Sequence, residues 1–109
     1  MFTSTIRGRL GGDPEMVYLP SGEAVCNFRL AFNFKKRDRI ETEWLKVAAW
    51  GEELAEQANL LVKGDLVEII GDVTFSYWTD ANGNQRKSCD IRVTAIRKVA
   101  PQSEAEDSP

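Results

Sequence analysis

The segment Trp44-Leu45-Lys46-Val47-Ala48-Ala49-Trp50 holds the residues of this chain best suited to chemistry. As a strand, it sends Leu45, Val47 and Ala49 to one face and Trp44, Lys46, Ala48 and Trp50 to the other. The aliphatic trio is a sufficient core face. Two indole rings and an ammonium group remain on the face where a half-buried strand ordinarily carries polar residues. Flat rings beside a cation suit stacked bases and phosphates. Packing in a barrel covered on both faces, or a protein interface, would use the same residues. Trp78 is a third indole, on the outward parity of a later strand. Cations gather at Lys35, Lys36, Arg37 and Arg39 and again at Arg86 and Lys87. The first cluster suits phosphates and equally suits a solvated hairpin tip.

Other chemistries find little to work with. The chain has no histidine, the commonest general base and metal ligand. Cys26 and Cys89 do not form a CxxC unit, so a structural zinc site is not expected. Each sits in a strand-like apolar run, which predicts free buried thiols rather than a disulfide, and a reducing compartment. Gly8-Arg9-Leu10-Gly11-Gly12 lacks phosphate-loop spacing. Glu52 and Glu53 adjoin on a helix and read as a solvated face, as do Asp38, Glu41 and Glu43 among the loop bases. The expectation is a binding protein with no catalytic residues, cofactor or metal.

These side chains need a scaffold, and 109 residues suffice for one domain with its own core. The formal charge is −3, yet Glu104, Glu106 and Asp107 lie in the last six residues. Without them acids and bases balance at 14 each, so a neutral body carries an acidic end. Residues 1–99 are expected to form the folded domain and residues 100–109, rich in Pro, Ser, Glu and Asp, a short disordered tail. No apolar run approaches the roughly 18 residues of a membrane span, and the N-terminus lacks a secretory core, which points to the cytoplasm.

Phe2 to Leu10 alternates, with Phe2, Ile6 and Leu10 inward, until Gly11-Gly12-Asp13-Pro14 breaks the run. A short extended piece follows at Met16 to Leu19, then a turn at Pro20-Ser21-Gly22. Ala24 to Phe34 is a long strand with Cys26, Phe28, Leu30 and Phe32 on one face. Lys35 to Glu41 reads as a basic hairpin loop, making an arm that can reach around a ligand. After Gly51 the period becomes helical: Leu54, Ala58 and Leu61 share a face, early glutamates suit the helix dipole, and Lys63-Gly64 supplies an ending. A helix of about three turns, plugging a barrel end, is predicted. Asp65 to Thr79 is again a strand, with a bend or bulge at Gly71. An Asn-Gly turn over Asp80 to Asn84 leads to a last strand region, Gln85 to Val99. Phe75 and Tyr77 have inward parity and are expected to pack. Three strand regions, a helix and two more strand regions predict an all-β fold, a five-stranded Greek-key OB-fold barrel with one α-helix between the third and fourth strands.

In order and spacing the chain resembles the bacterial and organellar single-stranded DNA-binding proteins, from about Thr5 to Val99. The resemblance rests on Gly8-Arg9-Leu10 with Asp13-Pro14-Glu15, on Pro20-Ser21-Gly22 with Ala24 to Phe28, and on Thr42-Glu43-Trp44 with Val47 to Gly51. Leu54-Ala55-Glu56, Lys63-Gly64 and Trp78-Thr79-Asp80 with Gly83 complete it. It implies coating of single-stranded DNA without sequence readout in replication, recombination and repair. Trp44, Trp50 and Trp78 then occupy base-stacking positions, with Trp50 where Phe or Trp is usual. Phosphate contacts fall to Lys46, Lys35, Lys36, Arg37, Arg39, Arg86 and Lys87, with Arg7, Arg9 and Arg29 as further candidates. A fourth aromatic position corresponds to Phe34, or to charge at Lys36. Thr74-Phe75-Ser76-Tyr77 departs from the family, which often carries cations there, and predicts a flatter salt dependence. The resemblance also implies a homo-oligomer, most often a tetramer, in a bacterial nucleoid rather than an organelle. Family tails commonly end in an acidic tip with a terminal aromatic that recruits replication and repair proteins. This chain ends in Pro109, which puts such recruitment in doubt. An interaction module using the tryptophan face as a protein contact is the alternative; a nuclease would need a carboxylate cluster that the sequence does not assemble.

Overall fold

The computed structural model describes residues 2–99. The expected acidic tail, 100–109, lies outside them. Six strands and a helix follow in order: β1 (Phe2–Leu10), β2 (Glu15–Tyr18), β3 (Ala24–Lys36), β4 (Arg39–Trp50), α1 (Glu52–Asn59), β5 (Leu66–Thr79) and β6 (Gln85–Lys98). The sheet order is β1-β5-β6-β4-β3-β2, and β1 also pairs with β3 at Arg9↔Ala31 and Leu10↔Leu30. That pairing closes five strands into a barrel of the OB type and leaves β2 as a flap on β3. One pairing is parallel: β4 meets β6 only over Lys46–Ala48 and Asp90–Arg92.

Alternation produces the core. Cys26, Phe28 and Leu30 of β3, Leu45, Val47 and Ala49 of β4, Val67, Ile69 and Val73 of β5, and Ile91 and Val93 of β6 are all buried in one cluster. The register shift expected near Gly71 falls between Ile70 and Gly71, where Thr94 of β6 is the extra, unpaired residue, so β6 is the bulged strand. Both thiols are free, but only Cys26 is fully buried. Burial raises its pKa. Cys89 is half-buried; its pKa is raised by burial first and then by Asp90 and Glu43.

Two expectations need correction. The helix has eight residues, not three turns. Gly51 opens it at φ 93°, a conformation that other residues rarely adopt. Ala55 and Ala58 pack inward. The Leu60 and Leu61 amides donate only three residues back, to the Gln57 and Ala58 carbonyls, and beyond them Asp65 accepts from Val62 and Asp13 accepts from Lys63. The chain therefore leaves the helical hydrogen-bond pattern, and Leu61 enters the core from a turn. The Lys35–Glu41 loop is likewise mostly strand. Pairing continues to Lys36↔Arg39, so Arg37 and Asp38 alone turn the chain. Arg37 has φ 60°, as the first position of a tight hairpin demands.

β3 with β4, and β5 with β6, outrun the barrel as two hairpin arms. Past the short β4–β6 pairing the arms diverge and leave a cleft of about 430 Å³ between them.

Candidate nucleic-acid interface

β4 presents its outer face as the sequence predicted. Trp44 and Lys46 are exposed, Ala48 and Trp50 half-buried, while Leu45, Val47 and Ala49 are sealed inside. Six residues of strand rise separate the two indoles by about 20 Å. Neighbouring strands complete the face: Arg29 of β3 and Asp90 of β6 both register with Lys46, and Arg92 registers with Ala48.

Each of these tryptophans carries a cation on its ring. The Arg29 guanidinium carbon lies 4.6 Å from the Trp44 ring centroid, and that of Arg92 lies 4.8 Å from Trp50. Such pairs hold an indole in place by the attraction of the charge to its ring quadrupole. Trp44 is held from another side as well. A Cβ on Gly11 would lie 2.3 Å from its Cζ3, so the ring occupies space that only a glycine leaves free. With both supports the indole stays 45% exposed. The loop between β1 and β2 thus helps to orient a ring on β4, with β2 and β3 between them in the sequence.

The arm cleft continues the face. Trp44, Lys46 and Arg29 line one side, and Trp78 and Lys87 the other. Trp78 is 47% exposed and registers with Arg86. The Asp80 carboxylate fixes that arm's tip. One oxygen accepts the Asn82 and Asn84 amides and the other accepts from Arg86 Nε at 3.0 Å. The Asn84 amide, and then Arg86 and Asn82, outweigh desolvation and hold the Asp80 carboxyl below its ordinary range. Lys87 reaches across the cleft to Glu43 at 3.9 Å. On the far side of Lys46 lies a second hollow of about 450 Å³, bordered by Asp13, Glu15 and Asp90. Arg29 and Lys46 also line it, so acids and bases meet there, whereas the arm cleft has Arg29, Lys46 and Lys87 against Glu43 alone.

Several expected residues lie apart from this centre. Lys35, Lys36, Arg37 and Arg39 sit at the end of the β3–β4 arm; Arg39 pairs with Glu41 at 2.8 Å. Phe34 has the opposite parity to the tryptophan face and stacks on Phe32 at 6.1 Å. Arg7 and Arg97 share Glu68, and Arg9 donates to the Gly64 carbonyl, which accounts for Arg7 and Arg9 elsewhere on the barrel. Sequence reasoning missed Arg92. The inward parity of Ile91 and Val93 was signal enough to place it outward. Gly11 had no such local signal. Phe75 and Tyr77, expected to pack, are 49% and 72% exposed, and Phe2, expected inward, is 52% exposed. Their parity is the predicted one, but the barrel ends before it can cover them. Among the described residues no three His, Cys, Asp or Glu side chains gather to hold a metal, and no helix is long and apolar enough to cross a membrane.

Comparison with known proteins supplies an independent finding. Residues 1–99 match the profile of the Single-strand binding protein family. The chain is 40% identical over 91 residues to Single-stranded DNA-binding protein 1 of Synechocystis sp., covering 82% of this chain and 75% of that protein. Similarity to the single-stranded DNA-binding protein of Thermus aquaticus is 40% over 98 residues, covering 88% of this chain and 36% of the relative. For that of Neisseria meningitidis serogroup A it is 37% over 103 residues, with 89% and 59% covered. The chain therefore spans less than two thirds of the length of two of these three relatives.

Proposed function

Because this chain belongs to the single-strand binding protein family, we propose that it binds single-stranded DNA without sequence readout, along the outer face of β4 and into the arm cleft. The observation that carries this reading is the line Trp44, Lys46, Trp50 on the outer side of a sealed barrel, Trp44 and Lys46 exposed and Trp50 half-buried. Bases stack on the indoles and phosphates meet cations between them. Stacking is tolerant of sequence because every base has a π-face.

Roles follow from position. Trp44, Trp50 and Trp78 are the base platforms. Arg29 and Arg92 steady two of them and stand beside the expected phosphate path. Lys46 and Lys87 neutralise phosphates near the rings. Lys35, Lys36 and Arg37 at one arm tip, with Arg39 and Arg86 partly committed to carboxylates, offer outlying contacts as the strand leaves. Residues 1–99 act as the binding unit, and the acidic 100–109 segment is a solubilising tail. The protein is a non-catalytic coat for unwound strands in replication, recombination and repair. It works in the bacterial cytoplasm as a homo-oligomer, a tetramer, so that one strand can follow several barrels.

Trp44→Ala and Trp50→Ala test the reading. Each should weaken oligo(dT) binding by about 1–3 kcal/mol while leaving the circular dichroism spectrum unchanged. Wild-type affinity in both variants would assign the tryptophan face to another task.

A further inference from the structure

We propose that the inner walls of the arm cleft form a second stacking site, distinct from the tryptophan platforms, that takes unpaired bases between Phe75, Tyr77, Phe2 and Phe32. The inference rests on the reading of the chain as a single-stranded DNA binder and adds residues of a different parity to it. These four rings continue the core-facing rows of β5, β1 and β3. In the barrel those rows are sealed. Where the barrel ends, at Phe2 of β1 and in the arms beyond it, each of the four is exposed, with Tyr77 the most open. Phe2 and Phe75 lie 6.0 Å apart at 32°, a tilted pair bridging the first and fifth strands. Below them Ile6, Leu45 and Val73 make an apolar floor.

The cleft suits a base in three respects. Its volume, about 430 Å³, falls within the common range of ligand clefts, roughly 300–1,000 Å³. Its rim carries Arg29, Lys46 and Lys87 against one acid, Glu43, so a phosphate can sit at the mouth while its base enters. It is also continuous with the tryptophan face, since Trp44 and Trp78 stand in its walls. From Thr74 to Thr79 the arm has no charged residue. It grips by rings where a cationic arm would grip by charge, and counterion release from this arm is correspondingly small.

The test uses the full chain and an oligo(dT) of fixed length, with affinity, solution mass and circular dichroism measured for each variant. Phe75→Ala and Tyr77→Ala should each lower affinity on the order of ten-fold, at unchanged mass and spectrum. Tyr77→Phe keeps the ring and should bind as the wild type does. Tyr77→Lys exchanges the ring for a cation and should steepen the logarithmic salt slope by about 0.7. Wild-type affinity in the Phe75→Ala, Tyr77→Ala double variant overturns the proposal. A loss of affinity that accompanies a change in mass also overturns it, because the rings would then seat a second copy of the chain. Trp44→Ala, run beside them, separates the two readings: if it weakens binding while the double variant does not, only the second stacking site falls.

Discussion

The two halves of β5 contrast most instructively. Val67, Ile69 and Val73 alternate toward the barrel interior and are sealed there. Phe75 and Tyr77 continue the same alternation and stand open. Neither parity nor hydrophobicity differs between the halves. What differs is the company: the body of β5 has β1 on one side and β6 on the other, whereas beyond Val73 only β6 remains paired. An inward-facing residue becomes core only where the sheet closes around it. β3 repeats the lesson, with Leu30 buried and Phe32 exposed on one row.

The largest expected effect sets the halves directly against each other. Ile69→Ala removes a buried side chain and should cost about 2–5 kcal/mol in chemical denaturation. Phe75→Ala, on the same row, should cost a small fraction of that. Equal losses would mean that the arm is packed as tightly as the barrel, and the contrast would be gone.

A smaller effect probes how the body positions the outer face. In Gly11→Ala the new methyl meets the Trp44 ring, which must shift. Oligo(dT) affinity should fall, by no more than the loss in Trp44→Ala, while the denaturation midpoint stays near wild type. An affinity equal to wild type would show that the ring's orientation does not matter to binding.

The smallest effect concerns the arm tip and acid. Asp80 has a depressed folded-state pKa, set chiefly by the Asn84 amide. Its ionised form therefore stabilises the tip above the ordinary carboxyl value of 3.8, and that contribution is lost as pH falls through the depressed one. Lowering the pH from about 5 to about 2 should shift the Asn82 and Asn84 amide resonances well before the barrel core responds. Simultaneous movement of tip and core would deny the arm its separate stability.

Local periodicity made the tryptophan face legible. The alternation from Trp44 to Trp50 separated core from surface correctly, and the same rule would have placed Arg92 outward. The barrel and its inserted helix were legible from the order of elements. The length of α1 was not, because the Lys63 amide goes to Asp13, a contact between distant segments that only folding makes. The fate of Phe2, Phe75 and Tyr77 was not legible either: it depends on where neighbouring strands stop pairing. Gly11 beneath Trp44 belongs to the same class, a close approach between segments far apart in sequence.

In the proposed complex unpaired bases stack on the accessible ring faces of Trp44, Trp50 and Trp78. Titrating intrinsic tryptophan emission with poly(dT) at fixed salt tests that stacking most directly. Deep, saturable quenching is the predicted result, reduced in Trp44→Ala and Trp50→Ala. Binding that proceeds to saturation with the emission unchanged would contradict the account, because the strand would then be held without touching the rings.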